Sequence, residues 1–179
     1  MSKLHTPFRY DYVGSFLRPE RLKKARADYE SGKINKAELT AVEDDCIREL
    51  VAKVKELGYH VITDGEFRRS TWHLDFMWGF NGVEHRKTVD GNTTFDAEAA
   101  MIDDTYVTGK ISYKKNHPFV EHFKFVKALE DENTVAKLTI PAPAQFLEQM
   151  IMPFAWSNTK KFYDTQEEVA KDIAEGYRE

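Results

Sequence analysis

Three times along this chain a short apolar run is followed by a helical pattern, and that order constrains the fold more than any other feature. The first run, "YDYVGSF" from Tyr10 to Phe16, is aromatic and β-branched and ends in Gly-Ser, so it reads as a strand and a turn. Pro19 suits the first position of the helix "PERLKKARADYE", which stops at Gly32. Asn35 followed by Glu38 forms a capping-box pattern, after which Leu39, Val42, Cys46, Leu50, Val54 and Leu57 recur at helical spacing until Gly58. The second strand, "HVITDGE", leads into a stretch rich in Trp, Phe, Gly and Asn, from Phe67 to about Asn92, with no helical period. A connection of that length is either functional or folded into a hairpin.

Beyond it, "DDTYVTGKISY" reads as a strand and "PFVEHFKFVKALE" as a helix with Phe119, Phe123, Val126 and Leu129 on one face. "TVAKLTIPAP" reads as a third core strand ended by Pro141 and Pro143, because proline cannot continue a ladder. Helices from about Ala144 to Met152 and from the Thr165/Glu168 capping box complete the order. Strands each followed by a helix signal a parallel sheet, either doubly wound or closed as a (β/α)₈ barrel. The absence of Gly-x-Gly-x-x-Gly and of Gly-x-x-x-x-Gly-Lys-Ser/Thr removes dinucleotide and P-loop folds and favours the barrel. A whole barrel takes roughly 250 residues. The expectation is therefore the α/β N-terminal half of a (β/α)₈ TIM barrel with an insertion after strand 2. Residues 1–179 would form part of one barrel domain whose C-terminal half is absent, since "TQEEVAKDIAEGYRE" is still helical where the sequence stops.

Composition narrows the function classes. A chain of 179 residues with 41% hydrophobic side chains can bury a sizeable core. Its net charge of −4, with both signs interleaved, gives no electrostatic footprint for nucleic acid or an anionic membrane. The N-terminus lacks a signal-peptide core, no apolar run approaches the roughly 18 residues that span a bilayer, and the one cysteine cannot make an internal disulfide. A cytoplasmic location is the expectation.

In parallel α/β folds the site lies at the carboxyl ends of the strands. Three such ends carry polar groups here: Gly14-Ser15, Asp64-Gly65-Glu66, and Thr139 with Pro141-Ala142-Pro143. A carboxylate and a hydroxyl meeting there, beside exposed backbone N–H groups, could hold both ends of a zwitterionic amino acid. Ser15 reads equally as a turn or N-cap residue, and Glu66 as a surface ion pair with Arg68 or Arg69, worth roughly 0–1 kcal/mol. His73 beside Asp75 is the one histidine in a suggestive setting. Trp72, Trp78 and Trp156 could stack on a flat ligand or simply pack. No metal-ligand spacing occurs, and Cys46 lies on the apolar helix stripe, where a small buried hydrophobe is expected.

At "YVGSFLRPE", "VITDGEFRRSTWHLDF" and "WGFNGVE" the chain resembles the cobalamin-independent methionine synthase family, in particular its short single-barrel bacterial relatives. The resemblance runs along essentially all of the sequence. It implies transfer of a methyl group to the thiol of homocysteine, held as a thiolate on zinc, to form methionine. Carried onto matching positions, Ser15 would bind the substrate carboxylate, the Val13 carbonyl and Glu66 would bind its ammonium, and His73 and Trp156 would be further substrate or donor contacts. The long enzymes have His-Gly-Glu where this chain has Asp64-Gly65-Glu66, and a Gly-Pro-Val-Thr-like turn where it has "IPAPAQF". The second departure leaves the methyl donor open between a methylfolate and another methyl compound. The family's zinc ligands, a His-x-Cys pair, a Glu and a second Cys, belong to the C-terminal half of the barrel. The expectation is thus no catalytic residue and no metal ligand in this chain, and no methyl transfer by it alone. The competing reading is a non-catalytic half-barrel that binds an amino acid or completes a barrel with a partner chain through its exposed sheet edges. The resemblance assigns no role to Arg68, Arg69, Trp72 or Asp75.

Overall fold

Residues 11–86 and 104–179 are described by a computed structural model. Seven helices and four strands are found among them. They are α1 (Glu20–Glu30), α2 (Lys36–Glu56), β1 (Val61–Ile62), α3 (Leu74–Met77), β2 (Asn81–Arg86) and β3 (Asp104–Ser112), followed by α4 (Pro118–Lys127), β4 (Val135–Ala136), α5 (Pro143–Ile151), α6 (Pro153–Thr159) and α7 (Gln166–Gly176). The chain divides into two compact units, one running to Trp72 and including Val120–Thr139, the other made of His73–Phe119 and Ile140–Glu179.

The first unit is built on α2. Its capping box forms as the sequence requires: the Glu38 N–H donates to Asn35 Oδ1 at 3.0 Å and the Asn35 N–H to Glu38 Oε2 at 2.8 Å. Cys46, Ile47, Val51 and Val54 of α2 bury a common face with Leu22, Ile62, Phe67 and Val126. Val42 and Leu50 pack on its border, whereas Leu57, expected on the stripe, is 63% exposed. Leu57 follows the last helical turn, where the chain is already leaving the helix for Gly58.

The parallel pairing expected of the second and third predicted strands is present but short. β1 and β4 pair in register Val61↔Val135 and Ile62↔Ala136, with the Val135 N–H on His60 O and the Lys137 N–H on Ile62 O, both at 2.8 Å. The expected first strand does not form over 11–16, and Tyr10 lies outside the described residues. Gly14 takes a left-handed φ of 93°, which interrupts any continuous ladder. The segment is instead tied down by the Tyr12 hydroxyl on Val61 O, the Phe16 N–H on Gly65 O at 3.1 Å, and a Lys137–Asp11 pair at 2.7 Å.

The second unit contains the described part of the long connection from His73 onward, which ends in one strand of an antiparallel pair. β2 and β3 pair antiparallel, with Val83 opposite Val107 and His85 opposite Thr105. The "DDTYVTGKISY" strand therefore belongs to this separate sheet rather than to the parallel one. A single turn of helix, α3, precedes it where no periodicity is visible. α6 was also hidden in the sequence, because Pro153 looks like a terminator after Met152 yet opens the helix. Pro143 likewise begins α5. At α7, Thr165 caps Glu168 N at 3.3 Å, but the Glu168 carboxylate is drawn to Lys110 at 3.1 Å.

His117 is buried among Phe76, Phe80 and Phe119. Its Nδ1 accepts the Phe119 N–H at 3.2 Å, so the neutral ring carries its proton on Nε2, which donates to Phe76 O at 2.9 Å. Burial pushes its pKa below the ordinary value of 6.5, and burial does the same to His73. A histidine harder to protonate when folded gives stability that is complete above about pH 6.5 and drains as the pH falls below it. Urea midpoints are expected to be level above about pH 6.5 and to decline toward about pH 5, with a shallower decline in His117→Asn. An unchanged slope in that variant would exclude His117 as the source.

Candidate functional site

β1 runs directly into a tight turn. Gly65 and Glu66 both take left-handed backbone angles, φ 64° and 59°, and Glu66 is the non-glycine residue to do so among those described. The turn closes through the Glu66 N–H on Asp64 Oδ1 at 2.9 Å and the Phe67 N–H on Asp64 O at 3.2 Å. The left-handed φ favours glycine at position 65, and an added Cβ would also lie 2.4 Å from Leu50 Cδ2, a terminal methyl that would have to move aside. A side-chain-bearing residue held in this region costs of order 1–3 kcal/mol and is met disproportionately at functional sites.

The conformation aims a buried carboxylate. Glu66, only 5% exposed, accepts the Ser15 hydroxyl on Oε2 at 2.8 Å. Its Oε1 accepts the Thr139 hydroxyl at 3.0 Å and Arg69 Nη1 at 3.4 Å. Arg18 Nη2 braces the turn from outside by donating to Glu66 O at 3.2 Å and Arg69 O at 3.0 Å. Polar residues from the three expected strand ends thus meet on one side chain, although the run before Ser15 forms no strand. The surface-ion-pair reading of Glu66 is overturned, since both Glu66 and its Arg69 partner are buried.

Arg68 does something else. Its guanidinium, also buried, pairs with Glu43 at 3.3 Å and Asp44 at 2.5 Å on α2 and lies over the Phe125 ring at 4.9 Å. Glu43 is 2% exposed, and desolvation pushes its carboxyl above the ordinary range against the opposing pull of Lys36, Arg26 and Arg68. Sequence reasoning missed it, although the signal was there: Glu43 lies four residues after Leu39 and three before Cys46, on the apolar face.

The other candidates are placed as follows. Val13 is 83% exposed beside Gly14, and neither its carbonyl nor the Ser15 N–H has a backbone partner among the described residues. His73 and Trp156 belong to the second unit. His73 precedes α3 and hydrogen-bonds the Gln149 side chain, while Trp156 is half-buried on α6. Trp78 is a packing residue: its ring stacks on His85 at 4.0 Å and its Nε1 donates to Thr105 at 3.0 Å. Among the described residues no three His, Cys, Asp or Glu side chains could hold a metal ion. Cys46 is buried, with Arg21 Nε donating to its Sγ at 3.2 Å. These residues do not fit a zinc site. No helix among them is long and apolar enough to cross a membrane.

No family model matches the chain. Two Bacillus subtilis (strain 168) proteins, YxjH and YxjG, both described as uncharacterized, are 37% identical over 172 residues and 40% identical over 137. The matches cover 96% and 76% of this chain but 43% and 35% of those proteins. A crystal structure from Listeria monocytogenes superposes with a TM-score of 0.75 at 36% identity, over 98% of this chain and 48% of that one. That protein's name is that of a vitamin-B12-independent methionine synthase, and the name itself marks the activity as unproven. This chain shares its fold over nearly the whole described length. It spans less than half of each relative.

The turn's dependence on Gly65 is directly measurable. Gly65→Ala is expected to lower unfolding stability by about 1–3 kcal/mol in urea titration, chiefly from the strain of a side-chain-bearing residue at a left-handed φ. A variant as stable as the parent would show that the turn relaxes freely.

Proposed function

We propose that this chain holds the amino-acid end of homocysteine for a methyltransferase that converts it to methionine. In this reading it is the N-terminal half of a (β/α)₈ barrel, with the hairpin of β2 and β3 inserted after the second barrel strand. The observation that carries the reading is the Ser15–Glu66 hydrogen bond at 2.8 Å, with Glu66 forced into a left-handed turn at the end of β1. These are the two residues that the family resemblance assigns to the substrate zwitterion. Support also comes from the Listeria monocytogenes structure, whose name carries the same activity.

The chemistry assigned to the chain is binding and orientation. Glu66 supplies a charge for the substrate ammonium, the Val13 carbonyl adds a second acceptor, and the Ser15 N–H is the donor left for the carboxylate, because the Ser15 hydroxyl proton is spent on Glu66 Oε2. Holding that end fixes where the thiol lies, which converts an encounter into a positioned reaction. Zinc, when bound in the family, lowers the thiol pKa so that a thiolate exists near neutral pH. The described residues of this chain do not supply its ligands, so the thiolate step is assigned to ligands outside them. The methyl donor is a methylfolate or another methyl compound.

A charge-assisted hydrogen bond contributes about 1.5–3 kcal/mol. Calorimetric titration should therefore give Glu66→Gln an affinity for L-homocysteine at least roughly tenfold weaker, while 4-mercaptobutanoic acid, which lacks the amino group, changes by less than about twofold. Equal losses for both ligands would remove Glu66 from the ammonium.

A further inference from the structure

Glu66 cannot do its proposed work unless one of its two oxygens is reserved for the ligand, and the hydrogen bonds around it divide the two unequally. A carboxylate offers about four lone-pair sites. On Oε1 both are used, by the Thr139 hydroxyl at 3.0 Å and Arg69 Nη1 at 3.4 Å. On Oε2 one is used, by Ser15, which stands on the exposed side of the cluster. Oε2 alone keeps room for a further donor.

Arg69 is the group that enforces this division. Its Nη1 donates to Glu66 Oε1 and to Trp72 O at 3.2 Å, and its Nη2 to Thr139 O at 2.6 Å and Thr139 Oγ1 at 3.3 Å. All four Nη hydrogens of the guanidinium are therefore engaged inside the protein, and the residue is 3% exposed. With its Nη groups committed to Glu66, Trp72 O and Thr139 and the residue buried, Arg69 is directed into the protein rather than toward a substrate carboxylate. Thr139 Oγ1 thus accepts from Arg69 on one lone pair while its proton is donated to Glu66.

We infer that Arg69 and Thr139 are positioning residues that clamp Glu66 Oε1, leaving Oε2 as the single oxygen that reads a ligand ammonium. The guanidinium bridges the turn after β1 to the segment after β4, so the angle of the Glu66 carboxylate is set by two neighbouring strand ends rather than by its own broad terminal torsion. The inference rests on the proposed role of Glu66 and goes beyond it by naming what gives that role its specificity.

The test compares L-homocysteine with 4-mercaptobutanoic acid by calorimetry on the intact chain. Thr139→Val removes the hydroxyl at nearly constant shape, and Thr139→Ser keeps it. Arg69→Lys keeps the charge but cannot span Glu66 and Thr139 together. The clamp predicts that Thr139→Val and Arg69→Lys each weaken L-homocysteine roughly tenfold, leave the des-amino acid within about twofold, and add nothing to the loss already caused by Glu66→Gln. Thr139→Ser should retain nearly the parent affinity. Equal weakening of both ligands, or losses that add to that of Glu66→Gln, would reduce Thr139 and Arg69 to a structural role and overturn the clamp. If Glu66→Gln abolishes the distinction between ligands while Thr139→Val preserves it, the clamp alone falls. If the parent chain does not distinguish the ligands, the clamp and the proposed role of Glu66 fall together.

Discussion

A buried carboxylate must be surrounded by donors, and in the first unit that requirement organises everything near the end of β1. Glu66 is satisfied by groups from three separate stretches of chain: Ser15 before α1, Arg69 in its own turn, and Thr139 beyond β4. Ion pairs taken out of water contribute little net stability, whereas removing one partner costs about 3–5 kcal/mol. The cluster is thus better understood as a device for holding geometry than as a source of stability. Its left-handed backbone is a cost that the surrounding bonds offset locally.

A second buried carboxylate sits behind the first. Glu43 on α2 collects Arg68, Arg26 and Lys36, and Arg26 also donates to Phe67 O. Adjacent arginines in the sequence are thereby sent to different acids, Arg68 toward the helix and Arg69 toward Glu66. The turn between them is fastened from both sides, and through α2 it is tied to the core formed by Ile47, Val51 and Val54. This explains how two strand residues on each side of a very short ladder can support a strained turn.

Much of this was legible in advance, and the failures have physical reasons. Capping at Asn35, the apolar face of α2 and the parallel pairing of "HVIT" with "TVAK" all follow from local pattern. The meeting of Ser15, Glu66 and Thr139 matches the expectation that polar groups after these three runs converge, although the first run forms no strand. The exchange of partners between Arg68 and Arg69 was not readable, since it depends on Glu43 being buried across a helix. Pro143, expected to end a strand just before a helix from about Ala144, is itself the first residue of that helix, and the helix opened by Pro153 was not anticipated. The 11–16 segment has strand composition but lacks a ladder, because Gly14 turns the backbone and Tyr12 bonds through its side chain instead.

In the second unit, the His117 ring presses so closely on Gly79 that an added Cβ would fall 2.2 Å from Nε2. Position 79 and position 117 therefore cannot drift independently over evolutionary time. A side chain at the first requires the buried ring at the second to shift or to be replaced, and with it the bond from Nε2 to Phe76 O, which works against the burial that makes this ring hard to protonate. Packing couples the two positions, although they lie 38 positions apart in the chain.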